Sequence, residues 1–560
     1  MVKKFEEVVN LAIKRGFFYR SSEIYQGKAG FYDYGSLGTI LKRKIENLWR
    51  KYFLNLFDNI WEIEPCLLMD KNVFVASRHL ELFYDPITEC SKCKKRYRAD
   101  KLIEEKLGIK AESLTIEEMN EIFKSRKIVC PECKSKLSEV KLFNLMFPVF
   151  VGVEYGNFLL KLKKIKDLFE KGNQKYVEEI KSLLEEYEKS LKNEVFLRPE
   201  TAQGPYVNFP REIRINRNKL PLGLLVVGKA FRNEISPRQA LLRLREFTQA
   251  ELQIFFDKDY WKDEFEKVKN EKINVLLVED RGKVEYKNMS LYEILKRKNL
   301  PEFYLYFAYK IWDFLVNVLE IPKERLRFFE LDEKEKAFYN KYHFDIEVFL
   351  EDMGWVEIAG LHYRVIEIKR EDIEKIEDKK VKEILNEILS DKESIEVGYD
   401  LYNHLVHSKD LGYVVYVKDK PLIPLELEIS FGIDRLFFSI LYLFYTYDEK
   451  NDRYVLKLPC KIAPIQVAIF PLLKKKELVE KALQIYEKLR GKLKTFYDDT
   501  GSIGKRYRRQ DEIGTPFCIT VDYQTLEDNT VTVRFRDSME QVRIGIDQLD
   551  KYLLEFFSIS

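Results

Sequence analysis

The sequence predicts a multidomain α+β protein, with strand segments and helices interspersed along the chain and a separate small α/β domain at the C-terminus. Three observations carry this reading. Residues 194–256 run strand–loop–strand, with 222–227 and 247–255 as buried strands. Strands return at 344–358 and 422–430, and the second leads into an apolar helix at 433–445. After Pro459 strands and helices alternate (465–470, 475–489, 517–522, 530–536, 541–557), the order of a self-contained α/β unit.

At 560 residues the chain exceeds the roughly 250–300 at which one core stops growing, so two to four domains are expected. Hydrophobic residues (46%) and charged residues (34%) supply both cores and polar cover. The first 17 residues are charged and amphipathic, unlike an export signal, and the longest apolar run, 436–447, is too short to span a bilayer. A cytoplasmic protein is expected. Residues 36–57 carry Leu37, Ile40, Leu41, Ile45, Leu48, Trp49 and Phe53 at helical spacing. A strand at 61–69 contains Pro65, which suits a sheet edge. Polar residues 89–140 read as an inserted module, 161–192 as a Lys/Glu-rich solvated helix or hairpin, and 260–340 as a further charged, helical insertion. A net charge of +3 means that any nucleic-acid partner would be held by local patches.

No Walker loop or dinucleotide fingerprint is present, so a nucleotide site would be of another kind. The block Phe231-Arg232-Asn233-Glu234 is followed by Leu242-Arg243-Leu244-Arg245-Glu246-Phe247. Strand alternation would send Arg243 and Arg245 to one face and Glu246 to the other. Arginines suit phosphate oxygens, and Phe247 offers a face for stacking; a surface ion-pair ladder would look the same. Gly432-Ile433-Asp434-Arg435 opens the apolar helix, either as an anion site or as an ordinary helix start with Asp434 in the capping region. Cys90-x-x-Cys93 and Cys130-x-x-Cys133 can supply four thiolates to a tetrahedral structural zinc, or stand as reduced thiols. Cys66, Cys460 and Cys518 have no partner in the pattern and read as core thiols. Lys505-Arg506-Tyr507-Arg508-Arg509 places four cations around a ring in a loop, for RNA contact or for structure.

In their order these blocks resemble the three motifs of class II aminoacyl-tRNA synthetases, and the wording resembles the glycyl branch. The matching segments are DYG-x-LG within 27–38, LRPETAQG at 197–204, VGKAFRNEISPR at 227–238, REFTQAE at 245–251, SFGIDR at 430–435 and much of 500–542. The resemblance implies an antiparallel sheet core flanked by helices, with boundaries 1–88 (core with the dimer-forming motif), 89–140 (zinc insertion), 141–259 (core), 260–342 (helical insertion), 343–450 (core) and 451–560 (anticodon-binding domain). It implies ATP-dependent activation of glycine and its transfer to tRNA(Gly) by a homodimer, without membrane or DNA partners. Arg232 would hold the α-phosphate, Arg435 the γ-phosphate and Glu357 a Mg²⁺; Asn233, Glu234, Leu242–Glu246, Phe247, Ile358, Gly432, Ile433 and Asp434 complete the ATP site. Around the amino acid the resemblance places Arg98, Glu200, Phe247, Thr248, Gln249, Ala250, Glu251, Glu428, Ile429, Ser430, Phe431 and Gly432. Carboxylates would meet the ammonium, and no editing domain is expected because no proteinogenic side chain is smaller.

The sequence departs from the family pattern in three places. GIADR reads Gly360-Leu361-His362-Tyr363-Arg364, ASGH reads Ala76-Ser77-Arg78-His79, and EPS reads Glu428-Ile429-Ser430. Each keeps the phosphate-binding arginines. The rivals are a related synthetase for proline, threonine, serine or histidine, disfavoured by LRPETAQG and the Glu/Ser set, and a non-catalytic nucleic-acid binder, which would tend to lose Arg232, Arg435 or Glu357.

Overall fold

The computed structural model describes residues 4–557 except 110, 112–113, 236, 238, 259–260 and most of 153–193. The expected Lys/Glu-rich helical stretch at 161–192 therefore lies almost wholly outside the described residues. The centre is a nine-stranded sheet. In chain order its strands are β1 (Ile60–Glu62), β2 (Leu222–Phe231), β3 (Glu246–Phe256), β4 (Lys272–Leu276), β5 (Lys287–Ser290), β6 (Leu326–Glu330), β7 (Tyr342–Leu350), β8 (Gly354–Tyr363) and β9 (Leu425–Gly432). The spatial order is β5-β4-β6-β7-β8-β9-β3-β2-β1, antiparallel except for the β1–β2 and β4–β6 pairs.

Alternation along the central strands creates two chemically distinct faces. On β9, Leu425, Leu427, Ile429 and Phe431 enter a large apolar core, while Glu426, Glu428, Ser430 and Gly432 take the opposite face. On β3, Ala250, Leu252, Ile254 and Phe256 join that core, and Gln249, Glu251 and Gln253 face the other way. Two helices cover the apolar side: α1 (Ser36–Phe53) and α2 (Ile433–Phe444). Leu41, Ile45, Trp49 and Phe53 form the buried stripe of α1, and Trp49 and Phe53 meet Phe431 with ring centroids 6.0 and 5.6 Å away. Truncating such an aromatic typically costs about 3–5 kcal/mol.

Several expectations need correction. The strand expected at 61–69 is two short strands, β1 and Leu68–Asp70, with Pro65 between them, where its missing N–H disturbs no ladder. The expected helical insertion at 260–342 contributes β4, β5 and β6 to the central sheet, and its helices share the main core. Residues 364–424 form a layer of helices and two small two-stranded sheets with its own apolar cluster on the opposite face, joined by the helix Gln203–Ile215. Cys66 is exposed and Cys460 partly so; of these three thiols only Cys518 is buried.

Between Tyr84–Glu89 and Lys141–Asn144 the chain builds a module with its own small core, which includes Cys90 and Cys130. At the C-terminus a five-stranded sheet packs its own core around Val467, Ile469, Phe517, Ile519, Val531 and Val533. There 505–509 lies not in a loop but in a third helix, α3 (Ile503–Ile513), started at Ser502 and stopped at left-handed Gly514. Among the described residues, no helix is long and apolar enough to cross a membrane.

Candidate active site

A cavity of about 250 Å³ opens on the polar face of the sheet, where β3, β8 and β9 meet the segment 232–244 and the start of α2. Arg232, at the end of β2, donates to the Pro199 carbonyl (3.0 Å), and its guanidinium lies between the rings of Phe83 (5.3 Å) and Phe247 (5.4 Å). Such stacking suits the planar guanidinium and fixes its direction. Across the cavity Arg435 donates to the Leu242 carbonyl (3.1 Å) and to the Glu357 carboxylate (2.9 Å). Two arginines thus face one space from different elements, each anchored, among the described residues, through part of its donor fork. Asp434 accepts from the Thr248 amide and the Tyr34 hydroxyl, which pins the start of α2 to β3.

Glu357 reaches this face because β8 carries a bulge. Glu347 pairs with Glu357 and Ile346 with Ala359, so Ile358 is the extra residue. Burial would raise the Glu357 carboxyl, but Arg435 outweighs it and holds the group below its ordinary range. Neighbouring Asp345 is pushed up by burial and by the charge of Glu357.

Beyond the arginines lies a buried acidic nest. Glu200, Glu251 and Glu428 are 8%, 2% and 5% exposed, and all three line the cavity. Their cationic partner is Arg364, which contacts Glu428 (2.9 Å), Asp400 (2.6 Å) and Glu200 (4.0 Å) and lies over the Tyr339 ring (4.0 Å). His79 stands 3.5 Å from Glu200, Thr201 donates to Glu251 (2.6 Å), and Gln253 donates to Glu428 (3.0 Å). Burial and the charges of Glu428 and Glu200 push the Glu251 carboxyl well up. Burial also raises Glu428, against Arg364. Burial acts on Glu200 too, yet His79, Arg364 and Gln203 hold it well below the usual range. Three carboxylates meet one guanidinium, with Glu251 beside them held up by their charge, an arrangement that a bound cation would relieve. Among the described residues, the buried Thr248 hydroxyl has no partner.

Most of the sequence-derived residues meet here, but not all. Glu234, Leu242, Arg243, Leu244, Gln249, Ile358, Phe431 and Gly432 line the cavity with those already named. Asn233 is tied by its amide to Leu145, Glu246 pairs with Lys229, and Ala250, Ile429 and Ile433 are buried in the core. The strand alternation expected for 242–245 is corrected: a 3-10 turn, Ala240–Leu242, precedes an extended segment, and β3 starts only at Glu246. Arg243 grips Glu234 (2.6 Å), while Arg245 turns away to the Ala29 and Glu234 carbonyls. Arg98 does not line the cavity; it pairs with Asp100 and Asp85 (3.3 Å), and Asp85 lies 3.8 Å from Arg243. Tyr363 faces the apolar core against Phe303 and Tyr342, so that departure leaves the pocket untouched. Arg78 holds a left-handed backbone and pairs outward with Glu81. The sequence reading missed Arg364, Asp400, His362, Tyr339 and Gln253; the signal nearest to them is the segment 360–364, which itself contains His362 and Arg364.

In the cysteine module, the four sulfur atoms of Cys90, Cys93, Cys130 and Cys133 lie within 4.8 Å of one another. Each pair is a tight turn closed by a left-handed lysine, Lys94 or Lys134, whose amide donates to the carbonyl of the first cysteine. Hydrogen bonds from Ser135 pull the Cys133 thiol down to about 6.

An antiparallel sheet with arginines from the second strand pair and from the closing helix, plus a C-terminal α/β domain, defines a class II aminoacyl-tRNA synthetase. Residues 186–389 match the family described as "tRNA synthetase class II core domain (G, H, P, S and T)", and 466–556 match "Anticodon binding domain". The fold is shared with a prolyl-tRNA synthetase from Cryptosporidium parvum at TM-score 0.52 and 14% identity, over 98% of this chain and 77% of that one. Glycine–tRNA ligases of Pyrococcus horikoshii and Methanothrix thermoacetophila are each 38% identical, over 99% and 97% of this chain and 98% and 96% of theirs. This chain belongs to the glycine–tRNA ligase family.

Proposed function

We propose that this chain activates glycine with ATP and transfers it to the 3′-terminal adenosine of tRNA(Gly). The observation that carries the reading is the acidic nest at the end of the arginine-lined cavity. Glu200, Glu251 and Glu428 suit an ammonium, while Arg232 and Arg435 suit a triphosphate. The glycine carboxylate attacks the α-phosphorus, the bond to the bridging oxygen breaks and pyrophosphate leaves. A terminal ribose hydroxyl then attacks the carbonyl, and AMP departs with the bonding pair. No side-chain nucleophile is required; positioning and charge stabilisation do the chemistry. Arg232 spreads the charge developing on the α-phosphoryl oxygens, and Phe247 offers the adenine a ring face. Glu357, with Asp345 and Glu347 nearby, presents the hard oxygen donors that Mg²⁺ prefers. Mg²⁺ would neutralise charge on the phosphates.

The four convergent thiols fit a structural Zn²⁺, which would hold the 84–144 module together without an open position for catalysis. We further propose a homodimer built on α1 and the edge strand β1, acting in the cytoplasm. In glycine charging with Arg232→Ala, adenylate formation should fall by at least about 10²-fold while tRNA affinity holds. Near-normal adenylate formation by that variant would sink the assignment.

A further inference from the structure

The glycine-activation reading leaves one side of the amino-acid subsite unassigned, and the sheet register supplies it. On the polar face, His343, His362, Glu428 and Gln253 stand opposite one another on β7, β8, β9 and β3. The next row is Asp345, Gly360, Ser430 and Glu251. Gly360 leaves a gap in that row, and the His362 imidazole leans into it. A Cβ on Gly360 would stand 2.3 Å from His362 Nε2 and 3.1 Å from Ser430 Oγ. The ring is also oriented. The Asn340 side-chain amide hydrogen-bonds Nδ1 of His362 (3.1 Å) and of His343 (3.3 Å), which fixes both rings. His343 Nε2 turns to Asp345 (3.0 Å); His362 Nε2 shares a hydrogen bond with Ser430 Oγ (3.2 Å) and faces Glu428 (3.5 Å).

We infer that His362 is a specificity-determining residue: its imidazole fills the space where a substituent on the substrate's α-carbon would lie, and it fixes Ser430 and Glu428 around the ammonium. The inference rests on the glycine-activation reading, and amino-acid-dependent ATP–pyrophosphate exchange separates the two. Wild type, H362A, H362N, G360A and the H362A/G360A double variant are assayed with glycine, alanine and serine.

Wild type should use glycine alone. H362A should raise the alanine-to-glycine ratio of kcat/KM by about 10–200-fold, the discrimination a single methyl-sized contact gives. H362N, smaller than imidazole but still a donor, should fall between them and decides the matter if H362A is insoluble. G360A should depress glycine exchange by pushing the ring aside, and much of that loss should vanish in the H362A background, since the two sites share one contact. An unchanged ratio in soluble H362A or H362N, or an undiminished G360A effect in the double variant, overturns the role of His362. Absence of glycine exchange from wild type overturns the underlying reading instead.

Discussion

Replacing Arg364 with leucine tests the electrostatic logic of the pocket. Arg364 is 1% exposed and meets Asp400 through Nε (2.9 Å) and Nη2 (2.6 Å), and Glu428 through Nη1 (2.9 Å). Leucine removes the guanidinium between these carboxylates, and breaking one side of a buried ion pair costs about 3–5 kcal/mol. At about 1.4 kcal/mol per tenfold, local opening of β9 and of the helix Tyr399–Ser408 should become roughly 10²- to 4 × 10³-fold more frequent. Hydrogen–deuterium exchange of those segments reads this directly. The pH dependence has a definite sign. Glu200 is held below its ordinary range in part by Arg364, so its stabilising contribution is present above that range and fades as pH falls through the depressed value. The difference between variant and wild type should therefore be large at neutral pH and shrink in acid as the stranded carboxylates take up protons. A change below about threefold at neutral pH, or one that grows in acid, would refute the argument.

Three further outcomes are expected. Glu251 is raised by burial and by Glu428 and Glu200, so it costs folded-state stability as pH climbs above the ordinary carboxylate range; Glu251→Gln should raise the ligand-free melting temperature more at pH 7.5 than at pH 4.5 while raising KM for glycine, and a uniform or opposite shift would contradict this. Metal analysis should find one zinc per chain, and chelation or Cys133→Ser should remove amide protection from 84–144 while sparing β9; full protection without zinc would contradict a structural metal. In α3, Lys505→Ala and Arg508→Ala should weaken tRNA binding and flatten its salt dependence with the fold intact, whereas Arg506→Ala should loosen the C-terminal domain, because Arg506 is buried and donates to the Pro471, Asp499 and Gly501 carbonyls.

How far the sequence could be read depended on the range of the contacts involved. Helix α1 was legible because Leu41, Ile45, Trp49 and Phe53 repeat at helical spacing and all four are buried. The arginines of 232–245 and 435 stood out as charge beside predicted strands, and the CxxC pairs carry their chemistry in their spacing. Arg364 and Asp400 were illegible, because their pairing joins the end of β8 to a helix 36 residues on, and no local pattern marks it. The central sheet was under-counted because β4, β5 and β6 are short strands among charged helices. Residues 505–509 were read as a loop although Ser502 and Gly514 frame a helix; the density of cations hid that Arg506, Tyr507 and Arg509 are committed to internal partners. Tyr363 departs from the family pattern yet lies in the core, while His362, one residue earlier, is the side chain that enters the pocket.

The central claim is that the acidic nest and the two arginines together activate glycine. ATP–pyrophosphate exchange with each of the 20 amino acids, without tRNA, tests it most directly. The account predicts exchange with glycine alone. Exchange with another amino acid in its place would contradict the assignment of Glu200, Glu251 and Glu428, and no exchange at all would contradict the activation chemistry itself.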